Sequence, residues 1–468
     1  MVGRRSGSSV LLACLVAALV TGSAQGASSQ AASDGRTPVS AEESSVWPAT
    51  AMTKTCGPRQ AWIGSNSDGV ACLDGAGWKL FDETKPFPGS GSIQDIAVCR
   101  NGMAWIARSA GLLSTNGRTW TNHAKATKNR SFSAVACDAK GRVWLAGYDA
   151  LAFYNGSKMT TYPVSRLGTG KYVKLLEDIT VAPDGHVWVT TANSVATFNG
   201  STWTYFENGH GFDKEYYVDK VAVDSKGRVW LATSSGILSY DGQAWTADPD
   251  TSFWQVQALA VDGKDRLWVG TYSRGVAMFD GQGWVTYDRS NSSLPSNRIK
   301  ALAIDARGRA WIGTEWGLAI LADTTWQVYH VHDSDIPANE VTSLGVVGNG
   351  PTLPALMTKK PGGLTGRLLR SGVAQAGLTV EICVEYVGMM YSGSTPCASQ
   401  PFHQATTTGA DGRFSFSGLN AGDYVVTFQD TNGKWLVLSG QWGLGSSRQE
   451  VRPGKTTNVG DLDLAKTK

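Results

Sequence analysis

Apolar positions along this chain recur in short alternating bursts, not at helical spacing, and the bursts themselves repeat. An apolar triplet or quartet is centred on Trp62, Trp105, Trp144, Trp188, Trp230, Trp268 and Trp311, at intervals of 43, 39, 44, 42, 38 and 43 residues. A second large residue follows each after 15 or 16 positions: Trp78, Trp120, Met159, Trp203, Trp245, Trp284 and Trp326. Such a period belongs to a propeller or a solenoid. The copy around Trp230 decides between them. Val221-Ala222-Val223-Asp224 alternates, Ser225-Lys226-Gly227 turns, and Arg228-Val229-Trp230-Leu231-Ala232-Thr233 is a second strand. Gly236-Ile237-Leu238-Ser239-Tyr240 is a third, and the hairpin signal Asp241-Gly242 leads into a fourth around Trp245. Four short antiparallel strands per repeat make a blade; a helical repeat has no place for these turns. The unbroken apolar run Val229-Trp230-Leu231-Ala232 fits a strand buried on both faces. The expected fold is all-β: a seven-bladed β-propeller over residues 47–347, followed by a small β-sandwich.

Two segments compete to close the ring. Ile336-Pro337-Ala338-Asn339-Glu340-Val341-Thr342-Ser343-Leu344-Gly345-Val346 echoes the segment that leads into the inner strand before Trp311, yet no further blade follows it. It would return to complete the first blade and hide an edge. Residues 51–56 sit at the same offset before Trp62 and are the rival. Residues 348–362, with Pro351, Pro354 and Pro361, read as a linker. Beyond it, Leu378-Thr379-Val380-Glu381-Ile382-Cys383-Val384 and Tyr424-Val425-Val426-Thr427-Phe428 alternate as half-buried strands of a sandwich over residues 363–468.

The repeats resemble the two-component regulator propeller family, whose pattern runs approximately G-x-h-W-h-G-T-x-x-G-h. Gly308-Arg309-Ala310-Trp311-Ile312-Gly313-Thr314-Glu315-Trp316-Gly317-Leu318 matches nearly throughout, and Arg266-Leu267-Trp268-Val269-Gly270-Thr271 almost as well. No Trp-Asp dipeptide occurs, so WD-type repeats fit less well. The stretch Gly409-Ala410-Asp411-Gly412-Arg413-Phe414-Ser415-Phe416-Ser417-Gly418-Leu419-Asn420-Ala421-Gly422-Asp423-Tyr424 resembles the carboxypeptidase regulatory-like, transthyretin-like sandwich. That module is structural or adhesive by resemblance. The propeller resemblance implies the ligand-sensing part of a bacterial sensor, without catalysis.

Composition narrows the partners. Lys+Arg 42 against Asp+Glu 39 is a near balance, which gives no support to a nucleic-acid or polybasic membrane binder, and neither is expected. Arg4 and Arg5, the apolar run of residues 10–20 and the small residues 21–26 have the order of a secretory signal peptide over residues 1–26, with a flexible leader over 27–46. No apolar stretch reaches the length of a membrane span. Cys14 resembles a lipobox cysteine, but the apolar run continues past it, so export without a lipid anchor is the preferred reading. The destination is secreted, periplasmic or cell-surface. Six further cysteines suit an oxidising compartment. Cys99 and Cys137 lie at matching ends of neighbouring inner strands, and Cys383 and Cys397 are alone in the second domain. Cys56 with Cys72 is the remainder, and reach permits it only if Cys56 lies outside the inner strand, which favours the C-terminal closure. Free buried thiols are the alternative for every pair.

Candidate chemistry is sparse. Metal, phosphate-loop and nucleophile-elbow motifs are absent, and no cofactor is expected. His330 and His332 share a face but lack a third ligand, so no metal site is assigned; His210 reads as a loop residue. The repeated Trp residues recur in every blade, where only packing recurs. Function therefore belongs where the blades differ, on the face carrying the fourth-to-first and second-to-third loops. Tyr148, Tyr216, Tyr217, Trp254, Tyr272, Arg274, Glu315 and Trp316 are the ligand-binding candidates there, with Arg166, Lys171, Tyr172, Lys174 and His210 on the same face. Rings beside Arg and Glu suit a polar small molecule, a glycan or a peptide, with a saccharide preferred near Trp254, Tyr272, Arg274 and Trp316. Two other classes stay open: a propeller lyase, since Asp184-Gly185-His186-Val187-Trp188-Val189-Thr190 resembles a repeat of streptogramin lyases, and a surface scaffold for a protein partner.

Overall fold

Each second strand of the repeat is fully buried: Ala61–Gly64, Ala104–Arg108, Val143–Gly147, Val187–Thr191, Val229–Thr233, Leu267–Thr271 and Ala310–Thr314. An unbroken apolar run can lie only between two covered faces, and here neighbouring sheets cover it. The computed structural model describes residues 46–47 and 55–465, apart from 58–59, 67–68, 82–91, 129, 148–149, 164–175, 215, 253, 332, 347, 358, 385–394, 398–401, 421 and 439–447. The signal, the leader up to residue 45, Cys14, Tyr148, Arg166, Lys171, Tyr172, Lys174 and His332 lie outside the described residues. Among the described residues, seven sheets of four repeat strands occur, each meandering from an inner strand outward. Their inner strands are Ser343–Val346, Ile93–Val98, Phe132–Cys137, Leu176–Val181, Val218–Val223, Val256–Val261 and Ile299–Ile304. Each contacts the next, and the last contacts the first.

The C-terminal segment closes the ring. Ser343–Val346 pairs antiparallel with Ala61–Gly64, Ser343 opposite Gly64 and Val346 opposite Ala61. Of the N-terminal rival, residues 51–54 lie outside the described residues and Cys56 lies in no strand; farther upstream, Val46–Trp47 pairs with the outer strand Trp120–Asn122 of the following sheet. Cys56 lies outside any strand and bonds Cys72, as the reach argument required. Cys99–Cys137 and Cys383–Cys397 are the other two disulfides.

The tight turns share one device. In Asp138, Asp224, Asp262 and Asp305, one carboxylate oxygen accepts from the backbone N–H groups two and four residues on, at 2.8–3.1 Å. In three of them the other oxygen accepts from the Arg Nε four residues on, at 2.5–2.6 Å. Trp268 Nε1 and Trp311 Nε1 donate to that same oxygen, at 3.1 and 3.2 Å. The turn ends on a left-handed residue, which is Gly141, Gly227 and Gly308 in three copies and Asp265 in the fourth. The spacing Asp-x-x-Gly-Arg-x-Trp thus ties turn, second strand and buried ring together.

Residues 348–362 behave as a strap. Buried Arg309 donates from Nη2 to the carbonyls of Asn349 and Pro351, both at 2.9 Å. Gln327 Nε2 and Tyr329 Oη both donate to the Pro354 carbonyl, at 2.7 and 2.8 Å. Lys359 Nζ donates to the Val331 and Ser334 carbonyls and lies 3.1 Å from Asp335. Its prolines lack N–H donors and its carbonyls serve the last blade, while Met357 N–H donates to the Asp333 carbonyl at 2.6 Å. Beyond it, Gly362–Arg370 pairs with Arg413–Leu419 and, in parallel, with Thr456–Asp463. Thr379–Cys383 pairs with His403–Thr407 and Gly422–Gln429. The two sheets share a core that includes Leu364, Val380, Ile382, Phe414, Phe416, Tyr424 and Phe428. Trp316 of the last blade packs against that core.

Arg309→Ala removes the strap's anchor and leaves Asp305 buried without its partner. It is expected to lower the unfolding free energy by about 3–5 kcal/mol, while exposed Arg307→Ala changes it little. Urea denaturation of the two variants checks this, and a loss below about 1 kcal/mol for Arg309→Ala would contradict the strap.

Candidate functional site

The inner strands do not run straight through their sheets. Six of the seven slip register near their first residues, where Gln94, Ser133, Glu177, Asp219, Gln257 and Lys300 fall at skipped positions. A bulge bends the strand and re-aims its side chains. The result is a channel lined by polar groups, among them Gln94, Asp95, Ser133, Asp178, Lys220, Gln257 and Lys300.

Two channel carboxylates also bind neighbouring blades together. Asp95 accepts from its own Ile96 N–H at 2.8 Å and from Val135 N–H of the next inner strand at 2.9 Å. Asp178 repeats the device, accepting from Val221 N–H at 3.0 Å. Burial, with the charge of Asp178 nearby, pushes the Asp95 carboxyl up to about 6 despite these bonds. Burial likewise raises Asp178, Asp219 and Glu177, the last helped by Asp219. Burial alone would lower the Lys220 ammonium, but Asp178, Asp95, Asp219 and Glu177 outweigh it and hold it above its ordinary value. The wall therefore gathers carboxylates around the Lys220 ammonium, with Lys300 a second cation on the lining.

The candidates read from the sequence fall into three environments. Tyr217 and Tyr272 stand at the channel mouth with rings 47% and 40% exposed. Tyr217 Oη donates to Glu177 Oε1 at 3.2 Å, and burial and Glu177 push its phenol up to about 12. The Arg298 guanidinium lies 4.2 Å above the Tyr272 ring and 3.3 Å from Glu315. Arg274 is exposed beside Tyr272, with its backbone N–H on Thr271 Oγ1 at 2.9 Å. Tyr216 belongs to a blade core, buried, with its hydroxyl on Asp213 at 2.8 Å. Trp254 is half-buried, its ring 5.0 Å from Trp284 and packed on an inter-blade cluster. Trp316 lies half-buried against the C-terminal sheets. His210 stacks on Tyr205 at 4.7 Å in an exposed loop.

Glu177, Asp178, Asp219, Lys220, Arg298 and Lys300 escaped the sequence reading. Their signal was present: the second and third positions of inner strands are Gln94-Asp95, Glu177-Asp178 and Asp219-Lys220, polar pairs inside apolar strands. Among the described residues, no group of three or more His, Cys, Asp or Glu is placed to hold a metal ion.

Comparison with known proteins bears on the fold. Residues 293–316 match the two component regulator propeller family. No curated protein matches the chain. The extracellular domain of a hybrid two component system from B. thetaiotaomicron is similar at 14% identity and TM-score 0.46, over 85% of this chain and 52% of that one. The chain thus spans about half the length of that domain. A streptogramin B lyase is similar at 17% identity and TM-score 0.46, over 56% of this chain and 88% of its own. PorZ, a surface component of the type-IX secretion system of Porphyromonas gingivalis, is similar at 14% identity and TM-score 0.45, over 82% and 63%. These are likenesses of fold. The chain is an all-β protein built on a propeller.

Asp95 titrates near 6 in the folded chain against an ordinary 3.8, so between those values the fold holds a proton that the unfolded chain has released. Its contribution to stability is fully present below about pH 4 and is lost as pH rises through about 6. Carboxyl carbon NMR shifts should show its midpoint near 6, and Asp95→Asn should flatten that stretch of the stability curve. A midpoint below about 4.5 would overturn the assignment.

Proposed function

We propose that this chain is an exported, non-catalytic, sensor-like binding propeller that takes a polar ligand, a saccharide, at the mouth of its channel. The observation that carries the reading is the pair of exposed rings, Tyr217 and Tyr272, beside mixed charge. A sugar offers apolar C–H faces to rings and hydroxyls to carboxylates and guanidinium, and this mouth supplies Glu177, Glu315, Arg298 and Arg274 around the two tyrosines. Three disulfides support an oxidising compartment, and no helix among the described residues is long and apolar enough to cross a membrane. In this reading residues 47–347 are a seven-bladed propeller and residues 363–468 a carboxypeptidase regulatory-like module that presents it.

Catalysis of the lyase kind needs an acid–base group converging on the mouth. Asp95 and Asp178 are engaged with backbone amides and Glu177 accepts from the Tyr217 hydroxyl, which favours binding over turnover. A scaffold for a protein partner would engage the same face through a peptide. A glycan array with the purified exported chain tests the proposal. For a sugar found there, Tyr217→Ala and Tyr272→Ala should each weaken binding by about 1–3 kcal/mol by calorimetry. Full affinity in both folded variants would remove the site from the mouth.

A further inference from the structure

A groove lies at the tight-turn end of the propeller, between the sheet of Trp188 and the sheet of Trp230. Trp188 and Thr197 stand opposite each other on adjacent strands and line it from the first sheet; Tyr240 and the turn residues Gly227 and Gly242 line it from the second. A side chain added at either glycine would meet nothing within 4 Å. The groove encloses about 710 Å³ including the space at its open side, the size of a small-molecule site. It coincides with a gap in the repeat. Four blades carry an arginine four residues after their turn aspartate, and the guanidinium groups of Arg142, Arg228, Arg266 and Arg309 lie over Phe153, Trp230, Trp268 and Trp311 at 5.1–5.8 Å. In the sheet of Trp188, Ala182 takes the place of the aspartate and His186 that of the arginine, and both line the groove.

We propose that this groove binds a guanidinium group, brought by free arginine or by an arginine side chain of a peptide, in the place beside Trp188 that the repeat's own arginine takes in other blades. The indole of Trp188 and the phenol ring of Tyr240 are π systems that attract a planar cation. Asp184 adds a carboxylate at the rim: its side chain is 60% exposed, and its Oδ1 accepts from His186 N–H at 2.9 Å. Thr197 Oγ1 is buried without a hydrogen-bond partner among the described residues, and a hydroxyl oxygen accepts from a guest's N–H. An anion meets Asp184 unfavourably, and a neutral urea forfeits the charge-assisted bond. The groove is independent of the sugar reading. Tyr217 precedes the strand Val218–Val223, whereas the turn bearing Gly227 follows its far end.

The test uses N-acetyl-arginine amide and its neutral isostere N-acetyl-citrulline amide as probes on the full chain, by calorimetry. The arginine probe should bind saturably and about tenfold tighter than the citrulline probe. Asp184→Asn keeps an oxygen for the His186 N–H and should remove most of that preference. His186→Arg restores the repeat's own guanidinium and should compete the arginine probe out of the groove. Both positions are exposed enough for the variants to fold, and thermal melting checks this. Free arginine is the second arm: tighter binding than the capped probe assigns the amino acid as the guest, and equal binding assigns a peptide side chain. Absence of saturable binding, equal affinity for the two capped probes, or full affinity and preference in both folded variants would each overturn the proposal. Such an outcome leaves the mouth untouched, because Tyr217 and Tyr272 take no part in the groove.

Discussion

Everything in this molecule depends on four residues near the end of the propeller finding four near its start. Ser343–Val346 supplies the inner strand of the sheet that begins at Ala61. The bond from Thr342 N–H to the Gly64 carbonyl, 2.9 Å long, joins residues 278 apart in sequence. Closing a loop of that length carries a length-dependent entropy cost of about 5 kcal/mol. Burial offsets it: Ile63 and Leu344 lie in one apolar cluster with Trp311 and Tyr329, and each such side chain contributes about 1.5–3 kcal/mol. Gly345 must lack a side chain, since one there would meet Ile96 and Val98 at 2.9 Å. Without the closing strand, one sheet loses its innermost member and its two neighbours lose a packing face.

Closure from the C-terminal side also determines where the chain goes next. Leaving the inner strand at Val346, the backbone emerges beside the Asp305 turn, where Ala306 N–H bonds the Gly348 carbonyl at 2.6 Å. Arg309 then serves two structures at once. Its Nε completes the turn device with Asp305, and its Nη2 holds the strap. The same Asp–Arg pair that shapes a turn in other blades here fixes the position of the sandwich.

The fold was legible in the sequence because its devices repeat. A Trp in every second strand and an Asp-x-x-Gly-Arg turn before it are local and visible, and the structure adds why they travel together: Trp268 and Trp311 donate to the carboxylate that makes the turn. Of the disulfide pairs, Cys99–Cys137 followed from the matching ends of neighbouring strands and the other two by exclusion. The channel was less legible. Asp95, Asp178 and Lys220 point inward because a bulge breaks the alternation of their strands, and no single strand shows that its neighbours converge on it. The strap was read as a linker because its prolines announce irregular backbone but not the donors that satisfy its carbonyls. Aromatic residues on loops carried the least information: Tyr216 and Tyr217 are adjacent, yet one is core and the other is mouth.

That last contrast recurs at Glu315 and Trp316, and there it separates two chemistries. The turn between the second and third strands of the last blade directs Glu315 toward Arg298 and the channel, and Trp316 toward the sandwich. On the channel side, burial with the nearby Asp178 charge raises Asp95, and the surrounding carboxylates hold Lys220 above its ordinary value. On the sandwich side, Trp316 packs against the apolar core of the C-terminal sheets. One two-residue turn therefore serves two environments, charged at Glu315 and apolar at Trp316.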